Sequence, residues 1–336
     1  DPGPACYDGG GLEPTVTDAN LTLGYLDPGT LLAGRLPIRA DKAKAAIDER
    51  LAGPLDVGTD EAAAAVLRIV NNAMAEALRI VSVERGHDAR EFSIVAFGGA
   101  GPMHAAELAT ELGVSEIIIP PIPGGFSALG LVATDLKRDY VKTFYSDLAS
   151  AAPGDIAAVY DGMEQSARVM LAASGISEDR WVFERAADLR YPRQAYELTV
   201  AAPSGNIDAD TLTALANGFH QKHHQTYGHE NRNEAVQMVN LRLTAIGKLE
   251  GLALRQPVAS GARDSRTGSR TGLRMVWFKD TGRVECAIHD RALMCAGDIA
   301  PGPAVIEAVD ATIVVPPGWT ARADDNGYII METTND

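Results

Sequence analysis

The residues with the most specific chemistry here are Gly98-Gly99-Ala100-Gly101-Pro102, entered from Phe97. They follow a short run, 93–97, rich in β-branched and aromatic residues, and open into 103–112, where good helix formers carry apolar residues at helical spacing. A strand, a tight turn and a helix are expected, with Gly113 just past the helix end. Glycines at 98, 99 and 101 would let the backbone approach a ligand with no Cβ in the way. Pro102 suits the first helical position, where free N–H groups can face an anion. An ordinary structural turn could use the same glycines. A dinucleotide fingerprint is excluded, because His104 stands where its third glycine belongs and the next strand ends in Pro120 rather than an acidic ribose clamp. The absence of Gly-x-x-x-x-Gly-Lys-Ser/Thr excludes a Walker-type NTPase. Gly125-Phe-Ser-Ala-Leu lacks the last glycine of a hydrolase elbow, so Ser127 is not a triad nucleophile.

Other residues invite chemistry and are weighed against plainer roles. In FHQKHHQTYGH, His220 with His223 or His224 shares a helical face, but no carboxylate at a supporting spacing, no His-Glu-x-x-His and no Cys partner accompanies them. A structural or surface role is expected, and no metal site. Asn71, Asn72 and Arg79 read as the solvated face of an apolar helix, with Asn72 or Arg79 bordering a pocket as the alternative. Cys6 has no basic neighbour in sequence and reads as a small buried hydrophobe. Asp56-Val-Gly-Thr is similar to a phosphate hairpin but leads straight into a helix, so it reads as a cap.

Around these residues, capped helices are expected from Thr17 or Asp18 to Leu26, from Asp41 to Leu51, and from Asp60 to Glu84 with Thr59 as its cap. With strands at 92–97 and 116–119, residues 1–145 form an α/β domain on a mostly parallel sheet. Residues 146–256 read as an α+β domain with helices near 156–174 and 209–227 and strands near 181–191, 196–201 and 236–246. A Ser/Gly/Thr/Arg-rich linker, 257–272, then leads to a small β-rich domain, 273–336. The net charge of −15, without a Lys/Arg-dense run, excludes nucleic acid and anionic membrane surfaces as partners. Three cysteines without Cys-x-x-Cys spacing, and no signal-peptide pattern or long apolar stretch, fit a cytoplasmic protein. The opening Asp1-Pro-Gly-Pro reads like the middle of a longer protein.

Taken together, DPGPACYDGGGLEPTVTDANLTLGYL, the long stretch from Asn71 to Val114, PGGFSALGLVATD, RYPRQAYELTV, VNLRLTAIG and GPAVIEAVDATIVVPPGW resemble the carboxy-terminal half of the hydantoinase A family. That family includes ATP-dependent N-methylhydantoinases, 5-oxoprolinases and related subunits of acetone and acetophenone carboxylases. The resemblance implies the second half of an actin/Hsp70/sugar-kinase-like ATPase fold, followed by the α+β domain and the β-rich unit. It implies Mg-ATP, with Phe97, Gly98, Gly99, Ala100, Gly101 and Pro102 against the ribose and α-phosphate and the β- and γ-phosphate hairpins upstream of Asp1. Phosphoryl transfer to the carbonyl oxygen of a small cyclic amide, a hydantoin or lactam, would make its carbon electrophilic towards water. It further implies a hydantoinase B-type partner subunit, with Tyr7, Asn20 and Ser127 at the substrate cleft. Asp18 would orient metal or substrate, or serve only as a helix cap. A carboxylase subunit and a non-catalytic docking piece are the alternatives.

Overall fold

The computed structural model describes residues 2–29, 34–249 and 268–334. The chain divides into two compact units: residues 1–130 together with 254–336, and residues 131–253.

The first unit begins with a single 3-10 turn, Ala5–Tyr7, followed by α1 (Val16–Thr22) and α2 (Ala40–Ile47). A π-helical turn, Asp48–Ala52, and the short α3 (Gly53–Leu55) lead to α4 (Thr59–Val81). Next come β1 (Ile94–Val95), α5 (Gly101–Leu112), β2 (Glu116–Ile119) and then α6 (Phe126–Ala133), within which the first unit gives way to the second. After the second unit the chain returns to the first as a further set of strands.

The second unit holds β3 (Leu136–Asp147), α7 (Pro153–Ala173), β4 (Trp181–Arg190), β5 (Leu198–Ala202), α8 (Ala209–Tyr227) and β6 (Gln237–Gly247). Its sheet has the order β3-β6-β4-β5 and every pairing is antiparallel. Leu241, Leu243 and Ala245 alternate with less buried residues along β6, as a sheet with one covered face requires. Tyr160 and Leu171 of α7 and Leu215 and Phe219 of α8 join them in one core.

The returning strands of the first unit are β7 (Arg270–Phe278), β8 (Gly282–Asp290), β9 (Ile299–Pro301), β10 (Ala304–Glu307), β11 (Thr312–Val315), β12 (Trp319–Ala323) and β13 (Ile329–Thr333). They form one sheet β1-β2-β13-β12-β9 and another β11-β10-β8-β7. In the first sheet β1 runs parallel to β2, while β13 pairs antiparallel with β2, placing Ile329 opposite Ile119 and Met331 opposite Ile117. Ala105, Ala106 and Ala109 of α5 share a core with these strands, and their small side chains let the helix lie close. The second sheet shares a core with α1, α2 and α4 through Leu23, Ile47, Ala63, Val276, Phe278 and Val305.

This arrangement corrects three expectations. Residues 273–336 are not a separate domain, because β13 completes the sheet begun by β1 and β2. That sheet is mostly antiparallel, since its additional strands come from the far end of the chain as hairpins rather than through βαβ crossovers. The change of unit falls at residues 130–131 rather than 145–146, because β3, unforeseen in the sequence, pairs along its length with β6. Of the expected linker, 257–267 lies outside the described residues, and Arg270 to Gly272 belong to β7. Thr15, not Thr17 or Asp18, caps α1, and Gly58 precedes α4 while the Thr59 hydroxyl donates to Asp48 at 2.5 Å.

In the second unit the fully buried Asp188 accepts hydrogen bonds from Thr199 Oγ1 (2.7 Å), Asn240 Nδ2 (2.9 Å) and Arg242 Nε (2.7 Å). Burial alone would raise its carboxyl, but these three donors hold it below the usual carboxylate range. Asp188→Asn should therefore cost about 2 kcal/mol at neutral pH, because an amide hydrogen would face donors. A depressed carboxyl contributes stability above about pH 4 that is lost as pH falls through its folded value. Urea unfolding at a series of pH values should show the gap between wild type and variant closing in acid.

Candidate functional site

Asp18 sits third in α1 and its buried carboxylate gathers a whole corner of the first unit. It accepts from the backbone N–H groups of Ala5 (3.2 Å), Cys6 (2.8 Å) and Thr15 (2.8 Å) and from the Thr15 hydroxyl (2.8 Å). A charge so deeply buried persists because donors surround it. Both oxygens are thus engaged by this chain's own groups, with Asp18 as the third-residue partner of the cap Thr15 rather than the cap itself. Cys6 lies fully buried in the same corner, and burial, reinforced by Asp18, pushes its thiol up to about 12. Tyr7, the last residue of the tied-down 3-10 turn, emerges at the rim of a cavity.

That cavity, about 270 Å³, brings Tyr7 and Thr17 together with Gly99, Ala100, Asp310 and Thr312. Gly98 has φ +82°, a left-handed conformation that glycine adopts without strain, and its N–H donates to Pro123 O at 2.7 Å. Among the described residues no atom beyond the adjoining backbone lies within 4 Å of the place a Cβ would take at Gly98 or Gly101, so the turn is open where the helix begins. No side chain caps α5, and Pro102 occupies its first turn. The opposite wall is the β10–β11 turn, whose Asp310 accepts from Gly124 N–H at 2.8 Å. A Cβ on Gly124 would come within 2.7 Å of Asp310 O, so this position requires glycine. Phe97 is half-exposed beside the turn, its ring 5.4 Å from that of Phe126.

The acidic groups at the cavity are engaged. Arg274 Nη1 donates to Asp27 Oδ2 (3.1 Å) and to Glu307 Oε1 (2.7 Å). Among the described residues no group of three or more His, Cys, Asp or Glu side chains could hold a metal ion. Two of the histidines of α8 bond to protein: His220 Nδ1 lies 2.7 Å from the Tyr191 hydroxyl, and His223 Nδ1 and Nε2 lie 2.7 and 2.8 Å from His229 O and Gln194 Nε2. Among the described residues no helix is long and apolar enough to cross a membrane.

Of the residues expected at a substrate cleft, only Tyr7 lines this cavity. Asn20 is 1% exposed on the covered face of α1, and its Oδ1 has no hydrogen-bond partner among the described residues. Ser127 lies exposed on α6 and is not part of the cavity wall. Asp310 and Gly124 lie in stretches that carry the family resemblance but were not singled out, because their contact joins distant parts of the chain. Asn71 was read as solvated-face polarity, yet its Oδ1 meets the buried His104 Nδ1 at 2.8 Å on the wall of a second, larger cavity. Arg79 bridges α4 to Glu111 of α5 at 2.9 Å.

Comparison with known proteins gives this geometry a context. The hydantoinase/oxoprolinase family model matches residues 1–140, and that of the hydantoinase/oxoprolinase C-terminal domain matches residues 144–333. The caprolactamase subunit alpha of Pseudomonas jessenii is 32% identical over 96% of this chain and 47% of its own length. The crystal structure of the ATP-dependent caprolactamase from that organism matches with a TM-score of 0.75 at 31% identity, covering 99% of this chain and 49% of the other. The acetophenone carboxylase gamma subunit of Aromatoleum aromaticum is 30% identical, over 98% of this chain and 46% of its own length. A nucleotide-free acetone carboxylase structure shares the fold, with a TM-score of 0.81 at 22% identity over 98% of this chain and 48% of the other. The chain spans about half the length of the curated relatives it matches. With a mixed α/β fold of several sheets shared with these proteins, and two family models that between them reach from residue 1 to residue 333, the chain belongs to the hydantoinase/oxoprolinase family.

Proposed function

We propose that this chain supplies one wall of an ATP site in an ATP-dependent enzyme that activates the carbonyl of a small cyclic amide, a hydantoin or lactam, for ring-opening hydrolysis. The observation that carries the reading is the open glycine turn at the uncapped start of α5. The ribose and α-phosphate of ATP fit it, since among the described residues nothing occupies the Cβ positions of Gly98 and Gly101 and the first turn of a helix favours an anion. Phe97 adds an exposed ring beside Gly98, and Pro102 presets the helical turn. On this reading the unit that holds the turn corresponds to the second half of an actin-like ATPase.

Bound ATP would supply a phosphoryl group for the amide oxygen, leaving a carbon that water can attack. The residues of this chain contribute by position. Asp310 pins Gly124 and thereby the loop whose Pro123 carbonyl receives the Gly98 N–H, so the turn is held before a ligand arrives. Asp18 acts in the same manner on the opposite side, fixing the Ala5–Tyr7 turn. Mg would accompany the phosphates, but Asp27 and Glu307 are engaged by Arg274 and Asp310 by Gly124, so no metal ligand is assigned to this chain. A hydantoinase B-type subunit is proposed as partner, in keeping with relatives that are themselves named as subunits.

The identity to an acetophenone carboxylase subunit favours a second reading, in which the same transfer acts on an enolate or bicarbonate. Assays of the assembled protein with ATP separate the two: cyclic-amide cleavage without bicarbonate supports the hydrolase, and a strict bicarbonate requirement supports the carboxylase.

Gly99 has an ordinary φ, and a Cβ there would stand 3.5 Å from Asp310 O, a normal contact. Gly99→Val should therefore melt close to wild type while binding ATP at least about tenfold more weakly, a loss of roughly 1.4 kcal/mol, as read by calorimetric titration. Unchanged affinity would make the turn structural. Asp310→Ala should weaken ATP by a smaller factor, of about three to five, since it loosens the turn without removing a ligand contact.

A further inference from the structure

In the second unit, His220 and His223 lie buried on α8 between two other segments: the turn that follows β4, Tyr191 to Gln194, and the loop that follows α8, His229 to Asn231. Nothing in the ATP reading uses them. The hydrogen bonds that join the three pieces have a determined direction, because several of their ends can only donate or only accept.

Gln194 Oε1 accepts from the Tyr191 N–H at 3.1 Å, which sets the amide with its NH2 towards His223 Nε2, 2.8 Å away. His223 Nε2 therefore accepts. On the other side of the ring Nδ1 faces the His229 carbonyl at 2.7 Å and donates. With one nitrogen a donor and the other an acceptor, His223 is neutral. A second proton would have to sit on Nε2 against an N–H of Gln194, and turning that amide over would only move the clash to the Tyr191 N–H. His220 is placed in the same way. The Tyr191 hydroxyl accepts from the Asn231 N–H at 2.8 Å and gives its own proton to His220 Nδ1 at 2.7 Å. A second proton on His220 displaces that of the tyrosine.

Among the described residues the charges around the two rings mostly oppose an added proton. Arg190 Nη1, at the end of β4, donates to Gln194 O at 3.3 Å, Arg193 stands in the turn itself, and Lys222 and His224 share the helix. In the loop, Glu230 is engaged by Arg232 Nε at 2.7 Å. β5, which shares a core with α8, carries no charged residue. Burial, followed by the Arg232 charge, lowers His220 from its ordinary range against a smaller opposing effect of Glu230.

We infer that this relay is an acid-released latch, which holds the loop after α8 against the turn after β4 while both histidines are neutral and lets the loop go when either takes a second proton. A histidine that is neutral when latched and free to titrate when released weakens the latch as pH falls below its ordinary value of about 6.5, by about tenfold at one pH unit lower. Above that value the latch is fully made. The window is separate from that of Asp188, whose depressed carboxyl takes its proton only in stronger acid.

Hydrogen exchange of the full chain tests it, read by mass spectrometry at about pH 7.5 and about pH 5.5 and corrected for the intrinsic pH dependence of exchange. Protection in the peptide covering 228–235, where the Asn231 N–H is bonded, should fall at least about tenfold at the lower pH, while peptides from β4 and β6 keep theirs. In His223→Gln the amide can donate to the His229 carbonyl and accept from Gln194 without titrating, and in His220→Asn the side-chain oxygen can take the place of Nδ1. The double variant should show the same protection at both pH values. Either single substitution should leave a smaller fall than wild type shows, a reading that survives if the double variant does not fold. Tyr191→Phe should lower protection in this peptide at both values. Equal wild-type protection at the two pH values, a fall of wild-type size in the substituted proteins, or a fall shared by the β4 and β6 peptides would each overturn the inference.

Discussion

The candidate site depends on how strand β2 is flanked. Its four residues have β1 on one side and β13 on the other, so their backbone groups are paired across both edges. Leaving those groups buried and unpaired would cost more than the short strand gains from its own burial. β1, only two residues long, is the edge strand beside β2, and the glycine turn follows soon after it. A strand near residue 330 therefore fixes the position of a turn near residue 100.

The loop after β2 carries the second half of that support. Arg291 Nη2 donates to Pro120 O at 2.8 Å and to Gly327 O at 2.9 Å, tying β2 and β13 together at the end where β2 leaves the sheet and β13 enters it. Burial lowers its guanidinium to about 10, with the charge of Asp310 acting in the opposite direction. A few residues further on, Gly124 meets Asp310 itself. The returning strands thus grip the loop at its start through Arg291 and at its end through Asp310, and Pro123, between the two, accepts from Gly98. An acidic chain of net charge −15 still places cations where they have most effect, as Arg274 does between Asp27 and Glu307.

The second unit uses the same economy for another purpose. Asp188, Thr199, Asn240 and Arg242 link β4, β5 and β6, while Arg185 holds Glu164 at 2.6 Å and joins β4 to α7. Tyr191, His220, His223 and Gln194 form a hydrogen-bonded group around the end of α8. Residues that look reactive in sequence are here partners of one another. Histidine spacing cannot reveal this, because the groups that occupy the rings come from the turn after β4 and from the loop beyond the helix.

Local features were legible in the sequence wherever the deciding contacts are local. The glycine turn, α5 with Gly113 behind it, α4, α7 and α8 follow from glycine's conformational freedom, helical spacing of apolar residues and end signals within a few positions. The burial of Cys6 was equally legible, and the family resemblance rested on these same linear stretches. Strand partners were not legible. β13 reads as the last strand of a small terminal unit, because an alternating segment says which face is buried but not whose backbone lies beside it. Asp310 against Gly124 and Asn71 against His104 were invisible for the same reason. Each is an ordinary polar residue until folding brings a distant group to it, so only the tertiary structure could make them parts of a site.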